Sequence, residues 1–283
     1  MIRIKVGLGA TVAPVQRATS YQPMLEFIEQ EMTRRLGRPV RLDLMISKEA
    51  RRDQQMIQKD LDLTRIGALP FFRARESNPG LVLLVQENSP KDSVIFTLTC
   101  TGITNLSQLR GRSIAFADTN STIDAWAKVH LLRAGLRASD FISCAHLQST
   151  PEEKDIDYHA HKEALEAVKA GMTDAGVARP LHIIDALGPE GSNWVSLLKF
   201  ESSQTLWVGG SRLAPEVREA LRQAMLALAG LGPKEQQDLK LPDRVRNLTP
   251  INAKSLRELQ DALERDLREF DRPAGTNAPP KQP

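Results

Sequence analysis

The chain has 283 residues, of which 41% are hydrophobic and 26% charged, enough for one large domain or two lobes with real cores. Its 38 basic and 35 acidic residues leave a net charge of only +3. With no helix-turn-helix or finger motif, that balance argues against a nucleic-acid protein. No apolar run reaches membrane-spanning length. Two cysteines, Cys100 and Cys144, are too few for a disulfide framework and lack metal-site spacing; two separate, partly buried thiols are expected, with a single disulfide as the alternative if the fold brings them together.

Ile4–Leu8 alternates as a first strand and runs into Gly7-Leu8-Gly9-Ala10-Thr11. This glycine-poor turn lacks the dinucleotide-binding fingerprint, so no nucleotide cofactor is expected. Ser20–Leu36 is predicted as a helix, with Pro23 in its first turn and Met24, Leu25, Ile28, Met32 and Leu36 as its stripe. A strand over Val40–Met45, a charged helix over Lys48–Lys59 and a strand over Leu61–Ile66 follow, then a loop at Gly67–Phe72. Strand, helix, strand, helix, strand predicts a parallel sheet whose ligand loops lie at its carboxyl edge, here Ala10–Ala13 and Gly67–Phe71.

Leu81–Gln86 and Ser93–Thr99 are predicted strands, and a second α/β pattern begins after them. Its centre is Ser113–Leu132, SIAFADTNSTIDAWAKVHLL. Ser113–Ala117 reads as a buried strand, Asp118-Thr119-Asn120 as a polar break, and the stretch from Ser121 as a helix ended by Gly135. Ser121 and Thr122 fall where helical amides lack partners and the dipole is positive, which suits an oxyanion. The alternative is that Asn120 or Ser121 simply caps the helix.

Strands near Ile142–Leu147, Asp174–Val177, Trp194–Phe200 and Gln204–Val208 are predicted next. They are interleaved with an acidic loop at Pro151–Asp157 and helices at His161–Ala170 and Pro180–Leu187. Helices at Glu216–Ala229, Lys234–Leu239 and Ser255–Phe270 close the chain, and the Pro-rich 272–283 tail is expected to be disordered. The pattern predicts an α/β protein of two lobes with a ligand cleft between them. Residues 1–98 with 205–271 would form a discontinuous first lobe and 99–204 the second.

Six segments in order resemble one family, the phosphonate-type substrate-binding proteins of bacterial ABC importers, with the type II periplasmic binding fold. LSQLRGRSIAFADTNST resembles the family's L-x-x-L-x-G-k-x-i-A-F-x-D-P-x-S-T-S turn, and HKEALEAVKAGMTDAGV its histidine-led helix and D-A-g strand. GALPFF, SVIFTLTCTGI, LAPEVREALRQAMLAL and LTPINAKSLRELQDAL resemble its first-lobe loop, crossing strand and closing helices.

The resemblance implies that Ser121 and Thr122, beside Asn120, hold the ligand's oxygens. It implies a cleft role for His161 at the start of its helix, and a first-lobe wall from Thr11 and the Leu69–Phe71 loop, including Leu69 and Phe71. Departures point away from aminoethylphosphonate. Thr119 replaces the family's proline, Ile123 replaces its second serine and sets an apolar branch beside the anion, and Arg179 follows the D-A-g strand where acids bind amines. Arg179 suits an oxyanion instead.

The function so implied is capture of a small oxyanion by hinge closure, without catalysis or cofactor, for an ABC permease or a sensor histidine kinase. Two alternatives compete. Cys100 near the crossing strand could ligate arsenite, making a metalloid sensor. A two-lobed enzyme is the other, though Ser121 has no evident activating base. No signal peptide precedes the first strand. The family's periplasmic location would therefore require a leader absent from this sequence; otherwise the chain is cytoplasmic.

Overall fold

The computed structural model describes residues 1–9, 14–47, 55–56, 60–88, 92–117, 121–146, 156–202, 205–251 and 253–273. Two compact units share the chain. The first holds Met1–Pro90, Ser149–Tyr158 and Ser203–Leu256; the second holds Lys91–Gln148, His159–Ser202 and Arg257–Pro283. The fold is α/β, as the sequence predicts, and its element order follows the predicted one closely. No helix among the described residues is long and apolar enough to cross a membrane.

The first unit contains β1 (Ile2–Gly9), α1 (Pro14–Leu36), β2 (Val40–Ser47), β3 (Leu63–Gly67), α2 (Ala68–Ser77) and β4 (Val82–Glu87). Its sheet has the order β11-β4-β10-β3-β1-β2, where β10 is Thr205–Gly209 and β11 is Leu248–Pro250. Strand β1 runs parallel to β2 and β3, so Gly9 and Gly67 finish at one edge. The three strands of the predicted β-α-β-α-β run are parallel as expected, and the rest of the sheet is mixed. Strand β10 returns from the second unit and inserts antiparallel between β3 and β4, and β11 adds antiparallel to β4.

The core beneath this sheet joins Ile4, Val6 and Leu8 of β1 to Tyr21, Met24, Leu25, Ile28 and Met32 of α1, with Trp207. The 3–4 spacing of the α1 residues puts them on one face. Helix α1 begins at Pro14 rather than Ser20, and Pro23 lies inside it. Pro14 suits the first helical position, where no amide donor is needed, so the earlier proline is the start signal. Of the helix expected at Lys48–Lys59, only Gln55 and Met56 are described, both helical. The Gly67–Phe72 loop is instead the start of α2. Pro70 is that helix's third residue, where its missing amide costs nothing.

Helices α6 (Pro215–Ala229), α7 (Pro233–Asp238) and α8 (Asp243–Arg246) follow β10, and Ala253–Phe270 forms α9. The sequence reading omits α8 and β11, which are too short to show a period. Val245 and Leu248 nonetheless enter the first core.

The second unit is a five-stranded sheet of order β7-β6-β8-β5-β9. Its strands are β5 (Asp92–Leu98), β6 (Ser113–Phe116), β7 (Ser143–His146), β8 (Ala175–Ala178) and β9 (Trp194–Glu201). Strand β6 runs parallel to β7 and β8, while β5 runs antiparallel to β8 and β9. The sequence reading ends the first lobe with β5, but its ladder partners lie in this second sheet. The C-terminal part of α9 also belongs here. Phe270 is fully buried, with its ring 6.3 Å from Phe116 and 6.4 Å from Phe141.

Helices α3 (Thr122–Arg133), α4 (Ile156–Lys169) and α5 (Pro180–Leu187) flank this sheet. Gly176 in β8 permits the approach of α4: a Cβ there would lie 2.8 Å from Val168 and 3.4 Å from the Ala164 carbonyl. Only glycine fits that contact.

Candidate functional site

In the second unit, Ala115 of β6 lies opposite Gly176 of the parallel β8. Their carboxyl ends are therefore neighbours, and the first turns of α3 and α5 issue from the same sheet edge. This is the edge where open α/β sheets take ligands.

Ser121 caps α3 with an extended backbone (φ −70, ψ 122), and its Oγ accepts the Asp124 amide at 3.2 Å. The first helical bond runs from the Ala125 amide to the Ser121 carbonyl at 3.0 Å. The Thr122 and Ile123 amides come too early in the helix to find an acceptor within it. Thr122 is half-buried at the same turn. Capping and anion binding do not exclude each other here. The cap uses a Ser121 lone pair, and the hydroxyl proton can still be donated outward.

Asp124, 2% exposed, anchors the turn from inside: its Oδ2 accepts the Ala117 amide at 2.8 Å. Ile123 does not set its side chain beside an anion as expected. It is buried with Ile95, Ile114 and Phe116 in the second core. Asn120 lies outside the described residues.

Arg179 follows β8 and caps α5 with extended backbone (φ −85, ψ 139), with Pro180 as the first helical residue. Its carbonyl accepts the His182 amide at 3.0 Å. Burial holds the His182 imidazole below its ordinary pKa, and the Arg179 charge adds to this against the opposing pull of Asp185. A neutral histidine thus stands beside the arginine at neutral pH.

His161 is not at a helix start. Helix α4 begins at Ile156, which places His161 in its second turn, and its side chain lies outside the described residues. The wall expected from sequence lies within the first unit. Thr11 is outside the described residues, whereas Leu69 and Phe71 are helical and buried, with Phe71 fully enclosed and 5.7 Å from the Phe72 ring. Both side chains are buried.

Cys100 is exposed in the single turn Thr99–Thr101, and Cys144 is half-buried. Burial pushes the Cys144 thiol up to about 11; Lys128 opposes the rise and Asp271 adds to it. Among the described residues, no three His, Cys, Asp or Glu side chains gather as a metal site.

The sequence reading missed a polar cluster within the first unit. Glu87, at the end of β4, accepts Arg65 Nε at 2.6 Å, Arg65 Nη2 at 2.7 Å and Trp207 Nε1 at 3.2 Å. An arginine inside the apolar strand LTRIG was the available signal, since a charge there needs a buried partner.

Residues 10–256 match the family model described as ABC transporter, phosphonate, periplasmic substrate-binding protein. No curated protein matches the chain in sequence. Solved structures share the fold. XAC2383 from Xanthomonas citri bound to ATP is 17% identical, with TM-score 0.70, over 95% of this chain and 99% of that one. PhnD1 from Prochlorococcus marinus in complex with methylphosphonate is 19% identical, with TM-score 0.63, over 94% and 98%. The alkanesulfonate-binding protein SsuA from Xanthomonas axonopodis pv. citri bound to MOPS is 17% identical, with TM-score 0.57, over 96% and 95%. The family model spans most of the chain, and the two-unit α/β fold agrees with it: the chain belongs to the phosphonate family of periplasmic substrate-binding proteins of ABC transporters.

Proposed function

We propose that this protein captures a small tetrahedral oxyanion of the phosphate, phosphite or phosphonate type and hands it to the permease of an ABC importer. The carrying observation is the turn at Ser121–Thr122. It combines early helical amides, two hydroxyls and a positive helix end at the carboxyl edge of β6, with Arg179 leaving the adjacent strand. A fixed set of donors holds an anion, and among the described residues of this turn no base pairs with the Ser121 hydroxyl. The ligands named for the three similar structures each carry a tetrahedral phosphorus or sulfur oxyanion.

The test is a thermal-shift panel of phosphate, phosphite, methylphosphonate, aminoethylphosphonate, sulfate, arsenate and arsenite. A ligand that binds only the folded chain raises its melting temperature with concentration, by about 2.7 kcal/mol of stability at a hundredfold excess over Kd. A shift with a tetrahedral oxyanion, lost in Ser121→Ala/Thr122→Ala, supports the reading. A shift with arsenite alone, lost in Cys100→Ser, replaces it with metalloid binding. No shift with any member overturns it.

A further inference from the structure

Helix α9 ends on the elements that frame the Ser121 turn. Its last residue, Phe270, is fully buried, although terminal helix turns usually fray. The ring packs edge-on against Phe116, the last residue of β6, with 6.3 Å between centroids. The next residue, Ala117, donates its amide to Asp124 of α3 at 2.8 Å. All four residues lie in the second unit.

A second contact joins the same end of α9 to α3. Lys128 is only 8% exposed, a costly place for an ammonium without partners. Its Nζ lies 5.4 Å from the Phe116 centroid, 5.6 Å from the Phe270 centroid and 3.3 Å from Asp271 Oδ1. Both rings are within cation–π reach. Asp271 is fixed in turn by its own amide, which donates to the Leu267 carbonyl at 3.0 Å. Two outer pairs flank this centre: Arg133 with Asp266 at 3.5 Å, and Arg137 with Glu269 at 2.5 Å.

Asp124 and Lys128 are four residues apart, so they share one face of α3. Asp124 ties the first turn of the helix to β6, and Lys128 ties the next turn to Phe116 and α9. Ile123, Ala127 and Leu131 bury the helix without fixing its angle, because apolar contact is non-directional. Two directional anchors one turn apart do fix it, and with it where the Ser121 hydroxyl and the early amides point. A buried ion pair is no more stable than a well-packed apolar side chain of the same size, so Lys128 serves direction rather than burial.

We propose that Phe270, Lys128 and Asp271 are positioning residues for anion binding, a clasp that holds the Ser121 turn in its binding geometry; this rests on the oxyanion reading above.

The test is calorimetry on the full chain with methylphosphonate and inorganic phosphate, beside a urea melt of each variant and hydrogen exchange at the Ala117 amide. Phe270→Ala should bind about 5- to 30-fold more weakly, and Phe270→Leu less so. Leu165→Ala, which opens a separate core cluster of the same unit, should lose comparable stability yet bind within twofold of wild type. Asp271→Ala separates positioning from simple charge. By field alone, removing this half-exposed acid would tighten anion binding, whereas loss of the clasp weakens it by about threefold, with Asp271→Glu restoring it. In Phe270→Ala, the Ala117 amide should lose more protection than the fall in global stability accounts for.

Phe270→Ala and Asp271→Ala binding within twofold of wild type, with binding lost in Ser121→Ala/Thr122→Ala, overturns the clasp and keeps the oxyanion site. Tighter binding in Asp271→Ala overturns the clasp, as does equal weakening by Phe270→Ala and Leu165→Ala. If Phe270→Ala does not melt cooperatively, Phe270→Leu and Asp271→Ala decide by the same criteria. If the wild type binds neither anion, the oxyanion reading falls and the Ala117 exchange alone judges the clasp: selective loss of protection supports it, and loss in step with global stability overturns it.

Discussion

The Ala117 amide donates to Asp124 Oδ2 at 2.8 Å, so the exit of β6 is closed by the third residue of α3. This bond sets the angle at which the Ser121 turn leaves the sheet. It also puts a buried carboxylate at the positive helix end, where a captured anion would meet it.

Asp124→Asn keeps an oxygen acceptor for Ala117 and removes the charge. Stability should fall by about 1 kcal/mol, because the helix end loses its acidic partner. Affinity for an oxyanion should rise, because a like charge is gone. Urea melts and calorimetry measure the two effects. Weaker or unchanged affinity in a folded variant would show that the anion does not sit at this turn.

Ser121→Ala should cost about 1 kcal/mol of stability, since it removes the acceptor for the Asp124 amide. The double variant is therefore not neutral for folding, contrary to what two exposed hydroxyls would suggest. Thr122→Ala alone should leave stability within about 0.5 kcal/mol, because alanine has the better helix propensity. Equal melting of Ser121→Ala and wild type would contradict the cap.

Glu87 and Arg65 have side chains only 1% and 11% exposed. Glu87→Ala takes the acceptor from Trp207 Nε1 and from two Arg65 nitrogens, and should cost about 3–5 kcal/mol. Urea unfolding of that variant measures it, and a loss under 1 kcal/mol would mean water replaces the carboxylate.

The two thiols should separate cleanly by reactivity. With its pKa raised to about 11, Cys144 stays protonated at pH 8, whereas Cys100 is exposed. Alkylation at pH 8 should label Cys100 in the native chain and Cys144 only on unfolding, read by mass spectrometry. Equal labelling of both would place Cys144 in a more open site.

Asp174 predicts an acid-sensitive joint between the starts of β6 and β8. Burial pushes its pKa up, but the Ser113 amide at 2.8 Å, the Ser113 hydroxyl at 2.7 Å and the nearby Arg112 outweigh it, and the net shift is downward. A depressed folded pKa stabilises above the ordinary value of 3.8 and loses that contribution as pH falls through the lower folded value. Asp174→Asn should thus lose stability at pH 7 and show a shallower decline below about pH 4 than wild type. Parallel stability-against-pH curves would refute this.

The sequence by itself determined most of the longer elements and the centre of the second unit. Periodicity marked the apolar faces of α1, α6 and α9, and the change of period after Ala117 located the strand–turn–helix with its hydroxyls. These signals are local, carried by residues three or four apart. Only the tertiary structure decided that β10 inserts between β3 and β4, that β5 joins the second sheet, and that Phe270 docks on Phe116. It also decided that Leu69 and Phe71 are buried and that Ile123 enters the core. Each of these depends on which distant residues compete for the same buried space or the same charge. That competition is settled by long-range burial and pairing, which no short window of sequence encodes.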